Sequence, residues 1–489
     1  MNLTEILLVF LISTLIAYSL KYLWSWWKFL VLASKIPSVK FEIPLIGILI
    51  DFLFIKFEDY LPLIVNFFEE SPSISRKWMG SKLIVLVNSP ENVQVVLNSP
   101  HCNKRPPIFY EAYLATEGLV LINGQKWEHH RKILKNSFSS QMLQNIIPIF
   151  DERSSHYIKR LNEKVDCDDF DIYQIVAGCT LESLLQGNLN MTRDFYENEY
   201  FDDVEKLKHC TMERMFQPWL GYEKLYKMTK LYKKCHQAYA STVALADEVV
   251  NANHHLRIAD ELKNRNVISQ LLNVRNNFTD NEIKDELITF IIVAHETTAL
   301  TLSGVILMLA IHKDVQEKVF SEIREVVNSN EGMIDIETLH KLTYLEMVIK
   351  ETMRIFPVVP AFGREATDEF KLEDFVIPKG TLLISSIFSL HRNTKYWGED
   401  AHLFKPERFR TENLKKIHPY AFIPFTGGRR ICLGWKYTML FKKAFLIHFL
   451  RAFEVNTKLK FNELKVNMTP TVAIEQNYMI SIKKRQLVK

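Results

Sequence analysis

Pro424-Phe425-Thr426-Gly427-Gly428-Arg429-Arg430-Ile431-Cys432-Leu433-Gly434 is the stretch on which the reading of this chain turns. It fits the spacing F-x-x-G-x-R-x-C-x-G at Phe425, Gly428, Arg430, Cys432 and Gly434, and it runs into an amphipathic helical pattern from Trp435 to about Phe453. Each fixed position has a physical use. Glycine lets the backbone pass close to a flat group. Amide N–H groups at a helix start hold the charge of a thiolate. Arg430 is placed to meet a carboxylate through charge-assisted hydrogen bonds. A thiolate bound to haem iron needs these features together, and it pushes electron density onto the metal to favour O–O cleavage. A structural cysteine in a Gly-rich turn is the bland reading, and the joint match outweighs it.

The rest of the composition is compatible with such a site. The chain has 489 residues, 47% of them apolar, enough for a large core. No Gly/Ser-rich linker, low-complexity run or repeat divides it. Lys and Arg number 61 against 57 Asp and Glu, and a balance of +4 gives no case for nucleic acid as a partner. Cys102, Cys167, Cys179, Cys210 and Cys235 form no CxxC pair with one another or with Cys432, which argues against zinc, iron–sulfur and dithiol sites. They read as reduced core residues.

Leu3 to Leu20 is almost wholly apolar. As a helix it is roughly 27 Å long, near the thickness of a bilayer core. Tyr18, Tyr22, Trp24, Trp26 and Trp27 follow where an interfacial belt would sit, and Lys21, Lys28 and Lys35 all lie on the C-terminal side. The positive-inside rule then places the body in the cytosol. The competing readings are a cleaved signal peptide, which lacks its basic n-region, and a mitochondrial presequence, which lacks arginine. Pro37 and Pro44 should end the helix. The expected organisation is a membrane anchor over 1–30 and one catalytic domain over 31–489.

In the body, segments 81–88 and 371–386 read as strands. A capping box at Thr279 and Glu282 opens a helix that runs to about His312 and is apolar through its middle, so it should cross the core. A second helix spans about Thr343 to Ile355, ahead of Pro357. It carries Glu351-x-x-Arg354, whose spacing puts both side chains on one face. Trp127-x-x-x-Arg131 has the same property. Val293-Ala294-His295-Glu296-Thr297-Thr298 lies inside the long helix and sets an acid beside a hydroxyl, a pair that can relay protons from water.

Together these motifs resemble the cytochrome P450 superfamily over essentially the whole chain. The resemblance implies a mainly α fold with a minor β part, in which haem sits between the long central helix and the cysteine loop. It implies haem b ligated by Cys432, with Phe425, Gly428, Arg430, Gly434 and Ala294 around it. Trp127, Arg131, Arg364 and His391 occupy positions associated with the propionates. Phe404-Lys405-Pro406-Glu407-Arg408-Phe409 looks like the family's PERF segment, so that Arg408 would complete a structural network with Glu351 and Arg354. Glu296 and Thr297 take the catalytic proton relay, with Thr297 hydrogen-bonding dioxygen.

Glu286 to Thr298, ELITFIIVAHETT, resembles the animal fatty-acid ω-hydroxylase signature EVDTFMFEGHDTT. Val293 replaces a glutamate that esterifies a haem methyl in many members, which implies non-covalent haem. Ala294 replaces the family glycine, and its methyl is expected to narrow the oxygen groove. Thr438 and Phe441 replace the usual Ala and Glu. Candidate substrate-wall residues are Phe109, Tyr110, Tyr113, Phe290, Val293, Val359, Phe362 and Val472, for a small lipophilic substrate such as a fatty acid, hydrocarbon, hormone or xenobiotic. The chain has no flavin or nicotinamide motif, so the expected partners are an NADPH-dependent flavoprotein reductase, cytochrome b5 and membrane lipid, at the endoplasmic reticulum membrane. Lys132, Lys135, Arg429, Lys436, Lys442 and Lys443 form an expected basic docking patch for the reductase. Two other readings stay open: a haem-thiolate isomerase or dehydratase, and a non-catalytic haem binder.

Overall fold

The computed structural model describes residues 3–39, 46–53, 56, 59–106, 116–196, 198–254, 265–273, 276–328 and 334–485. The fold is mainly helical with small sheets. The central helix runs from Asp280 to Ile311, and the capping box that opens it is present: Thr279 N–H donates to Glu282 at 2.9 Å and Glu282 N–H donates to Thr279 Oγ1 at 3.3 Å. A helix apolar on every side has to be surrounded. Residues 286–310 are buried except at Val293, Ala294 and Thr297. The Tyr173–Leu189 helix, also buried nearly all round, packs along it.

The Thr343–Ile355 helix ends where expected, because the residue before Pro357 cannot stay helical; Phe356 is at φ −123° and ψ 71°. The Trp435–Ala452 helix lies against Ser140–Leu161. The main sheet has the order Ile74–Met79, Lys82–Val87, Leu382–Ser386, Ala361–Glu365. Its second and third strands are parallel neighbours, from opposite ends of the chain. Segment 371–386 resolves into a small hairpin, Phe370–Leu372 with Phe375–Ile377, followed by the sheet strand Leu382–Ser386.

The N-terminal helix ends just before Pro37, as the sequence reading has it. It runs unbroken from Leu3 to Lys35, through the aromatic belt and across the expected boundary at residue 30. Its first part is exposed and is long and apolar enough to cross a membrane, as a membrane anchor must be. Its last turns belong to the body: Ala33 and Ile36 are buried, Phe29 packs edge-on to Trp78, Arg76 Nη1 donates to the Ala33 carbonyl at 2.8 Å, and Lys28 pairs with Glu369 at 2.8 Å.

Candidate active site

The cysteine loop is shaped by one glycine above all. Gly428 has φ +64°, and a Cβ there would lie 1.9 Å from the Leu97 carbonyl oxygen, so no other residue fits without moving backbone. Gly434 meets no such clash. Cys432 N–H donates to the Phe425 carbonyl at 3.0 Å and closes the turn. Burial pushes the Cys432 thiol up, opposed by a hydrogen bond from Gly434 N–H and by the charges of Arg131, Arg105 and Lys442. Cys432 lies in a densely packed part of the protein, yet its side chain is exposed, which leaves the sulfur open to a bound group.

The central helix also opens inward on one face. Val293, Ala294 and Thr297, at helical spacing i, i+1 and i+4, are the half-buried positions in its otherwise buried run. Thr297 Oγ1 donates to the Val293 carbonyl at 2.9 Å. Beside it, Thr298 Oγ1 lies 3.0 Å from Thr438 Oγ1 and joins the central helix to the helix that starts after Cys432. Thr438 thus has a structural use that its departure from the family pattern left unexplained. Phe441 has one too: it is buried edge-on against Phe150.

Guanidinium groups gather near Cys432, Arg430 buried and Arg131 and Arg105 half-buried. Arg430 is 3% exposed and donates to the carbonyls of Asn103 at 2.8 Å and Ile122 at 3.0 Å, and to Asn123 Oδ1 at 2.9 Å. Its guanidinium lies 4.2 Å from the centre of the buried Trp127 ring. Arg131 shares the Gly124–Leu134 helix face with Trp127 and donates to the Ile431 carbonyl at 2.7 Å. Burial holds Arg131 below its usual pKa, with the Cys432 charge opposing and Arg105 adding repulsion. Arg105, which donates to the Val120 carbonyl at 2.8 Å, escaped the sequence reading. Arg364 is 2% exposed on the Ala361–Glu365 strand. Like charges buried this close together fit a group that brings carboxylates, and a sulfur held by an N–H and by cations fits a metal-bound thiolate. The residues present therefore suit a haem.

Glu351 and Arg354, both fully buried, form a two-point ion pair at 2.7 and 2.8 Å. Arg354 also donates to the carbonyls of His391, Ala401 and Leu403 at 3.0, 2.7 and 3.0 Å, and Arg408 approaches Glu351 at 3.5 Å. His391 links this network to the cysteine loop. Its Nε2 accepts the Ile423 N–H at 2.9 Å, and burial with the charges of Arg354 and Arg392 lowers its pKa to about 3. It is a neutral brace between the ion-pair network and the approach to the cysteine loop.

Glu296 is fully buried, but it is not an isolated acid. It pairs with Lys208 at 3.1 Å and accepts from Thr471 Oγ1 at 2.9 Å. Lys208, 3% exposed, also meets Glu205 at 2.6 Å, whose side chain reaches the surface. Burial opposes the Lys208 charge, yet Glu296 and Glu205 hold the ammonium above its usual pKa. The sequence carries a signal for it: Lys208 continues the buried stripe of Phe201, Val204 and Thr211.

Two further expectations change. Lys442 and Lys443 are 1% and 2% exposed, so neither belongs to a surface patch. Lys443 is tied to Glu346 and the Leu339 carbonyl at 2.7 and 2.8 Å. Lys132, Lys135, Arg429 and Lys436 are exposed. Among the substrate-wall candidates, Phe362 lies in the apolar cluster under the sheet, with Ile74, Trp78 and Leu383. Val359 is 38% exposed, Phe290 stacks on Phe138, and Val472 lines a small enclosed cavity with Leu300, Thr301 and Phe356. Phe109, Tyr110 and Tyr113 lie outside the described residues.

A helical body with an inward-facing cysteine at the start of one helix, and an inward-opening Thr face on another, defines a haem-thiolate oxygenase. The chain belongs to the cytochrome P450 family, whose model matches residues 37–482, and it is a haem-dependent monooxygenase. It is 28% identical to the probable cytochrome P450 313a4 of Drosophila melanogaster, over 95% of this chain and 96% of that one. It is 29% identical to cytochrome P450 4c21 of Blattella germanica, over 89% and 90%, and 29% identical to cytochrome P450 4V2 of Homo sapiens, over 92% and 90%.

Proposed function

We propose that the chain hydroxylates a lipophilic substrate of fatty-acyl character at an internal chamber between Cys432 and the Val293–Ala294–Thr297 face, with electrons from NADPH through a separate flavoprotein reductase. The observation that carries this reading is the inward exposure of those residues deep inside an otherwise packed protein. Haem bound through Cys432 supplies the metal at which dioxygen is activated. Gly434 N–H and nearby cations stabilise the sulfur's charge. Arg131, Arg364 and Arg430, with Arg105 added, hold the propionates, and Trp127 backs Arg430.

Proton supply runs from the surface inward. Glu205, Lys208 and Glu296 form a continuous polar chain, 2.6 and 3.1 Å per step. Thr297, next along the central helix, presents its hydroxyl to the chamber. The apolar wall uses Phe290 and Val293, which suits a hydrocarbon chain better than a polar ligand. Glu351, Arg354 and Arg408 support the cysteine loop and touch no reacting group. Residues 1–30 anchor the catalytic domain 31–489 in the endoplasmic reticulum membrane, and cytochrome b5 is a second electron donor.

The test is reconstitution with a flavoprotein reductase, following NADPH and dioxygen consumption and product formation over a panel of lipids and xenobiotics. Peroxide rearrangement without NADPH marks an isomerase. Turnover of neither kind leaves a haem binder. Because Val293 cannot form an ester, extraction with acidified organic solvent should leave no haem on the polypeptide; haem that stays with the chain overturns this. Charge reversal at the exposed pair Lys135 and Lys436 should slow reduction several-fold at low salt and flatten its salt dependence. Unchanged stopped-flow rates would remove the basic patch as the docking surface.

A further inference from the structure

Lys442 is the buried charge that the family reading does not account for. It lies on the Trp435–Ala452 helix, 1% exposed. Its neighbour Lys443 has a carboxylate; Lys442 has none within ion-pairing distance among the described residues. Instead Nζ contacts Met353 Sδ at 3.7 Å and lies 5.7 Å from the centre of the Phe425 ring. Phe425 is the residue whose carbonyl holds the Cys432 N–H. A long ammonium side chain is costly to bury against a thioether and an aromatic face unless a negative group lies close. The Cys432 sulfur is within electrostatic reach of it.

We propose that Lys442 is a positioning charge for the Cys432 sulfur: a fixed cation behind Phe425 that stabilises the thiolate and favours the reduced form of the iron it binds. This rests on the reading of Cys432 as the iron ligand. The physics is direct. One-electron reduction adds a negative charge to the site, and a cation in a low-dielectric interior stabilises the more negative state. Burial lowers the Lys442 pKa to about 7, while the Cys432 charge resists that fall, so the two groups support each other's charged forms. The same cation withdraws electron density from the sulfur. The price of easier reduction is a weaker push on bound oxygen.

The experiment is a potentiometric titration of the full-length haem-loaded protein in mildly acidic buffer, comparing wild type with Lys442→Met, Lys442→Gln and Lys442→Arg. Methionine keeps the length and removes the charge; arginine keeps the charge. At a fixed applied potential, the neutral variants should show a ferrous-to-ferric ratio about tenfold lower, or about 59 mV for a one-electron couple. Lys442→Arg should stay near wild type. The reduced, carbon monoxide-treated spectrum of each protein reports ligation separately. A thiolate band in all four with equal potentials overturns the role of Lys442. Absence of that band from folded, haem-loaded wild type overturns the Cys432 reading, and this proposal with it.

Discussion

Cys432→Ser should leave a folded protein that has lost the long-wavelength Soret band of its reduced, carbon monoxide-treated form, and monooxygenation should fall about a thousandfold or more, roughly 4 kcal/mol of barrier. The fold should survive because the Cys432 side chain is exposed and the turn is closed by its backbone N–H to Phe425. The chemistry should not survive. A serine hydroxyl is a far weaker acid than a thiol and is not held as an anion by one N–H and three nearby cations. The electron donation that favours O–O cleavage depends on the sulfur. Circular dichroism should match wild type while the absorption band is gone. A variant that keeps the band would show that another residue ligates the iron.

Arg354→Ala should destabilise the protein by about 3–5 kcal/mol, the usual loss when one partner of a buried ion pair is removed. That is a large part of the 5–15 kcal/mol by which domains are commonly stable. Glu351 would keep the Lys405 N–H at 2.8 Å and Arg408 at 3.5 Å, too little for a fully buried carboxylate. The carbonyls of His391, Ala401 and Leu403 would lose their donor. The damage should travel: His391 braces Ile423, and the Ile423 carbonyl accepts the Thr426 N–H at 2.9 Å inside the cysteine loop. Haem content should therefore drop along with the melting temperature. Arg354→Lys should not rescue either, since an ammonium cannot serve a carboxylate and three carbonyls arranged around a planar fork. Wild-type melting and haem content in Arg354→Ala would rule out the network as the loop's support.

The parts of the site that were legible in the sequence are those with short-range signatures. The capping box marks the central helix, Pro357 marks the end of the Glu351 helix, and the spacing of the cysteine loop carries its own chemistry. What stayed hidden depends on which side chains meet across the fold. Lys208 comes to Glu296 from another helix, and Thr438 meets Thr298 across 140 positions. Nothing local separates Lys442 from Lys436, yet one is sealed and the other exposed. The brace that His391 makes was hidden for the same reason: it is set by Ile423 and Arg354, both distant in sequence. Pro37 marked the end of the N-terminal helix, but the docking of its last turns on Trp78 and Arg76 left no local signal.

That continuity makes the N-terminal helix a rigid mast. With Phe29 wedged on Trp78 and the Ala33 carbonyl bound by Arg76, the exposed apolar turns and the turns docked on the sheet belong to one unbroken helix. Under the proposed anchoring in a bilayer, a lean of the mast would be passed to the body as a rotation, so bilayer thickness would set the angle at which the body meets the lipid surface.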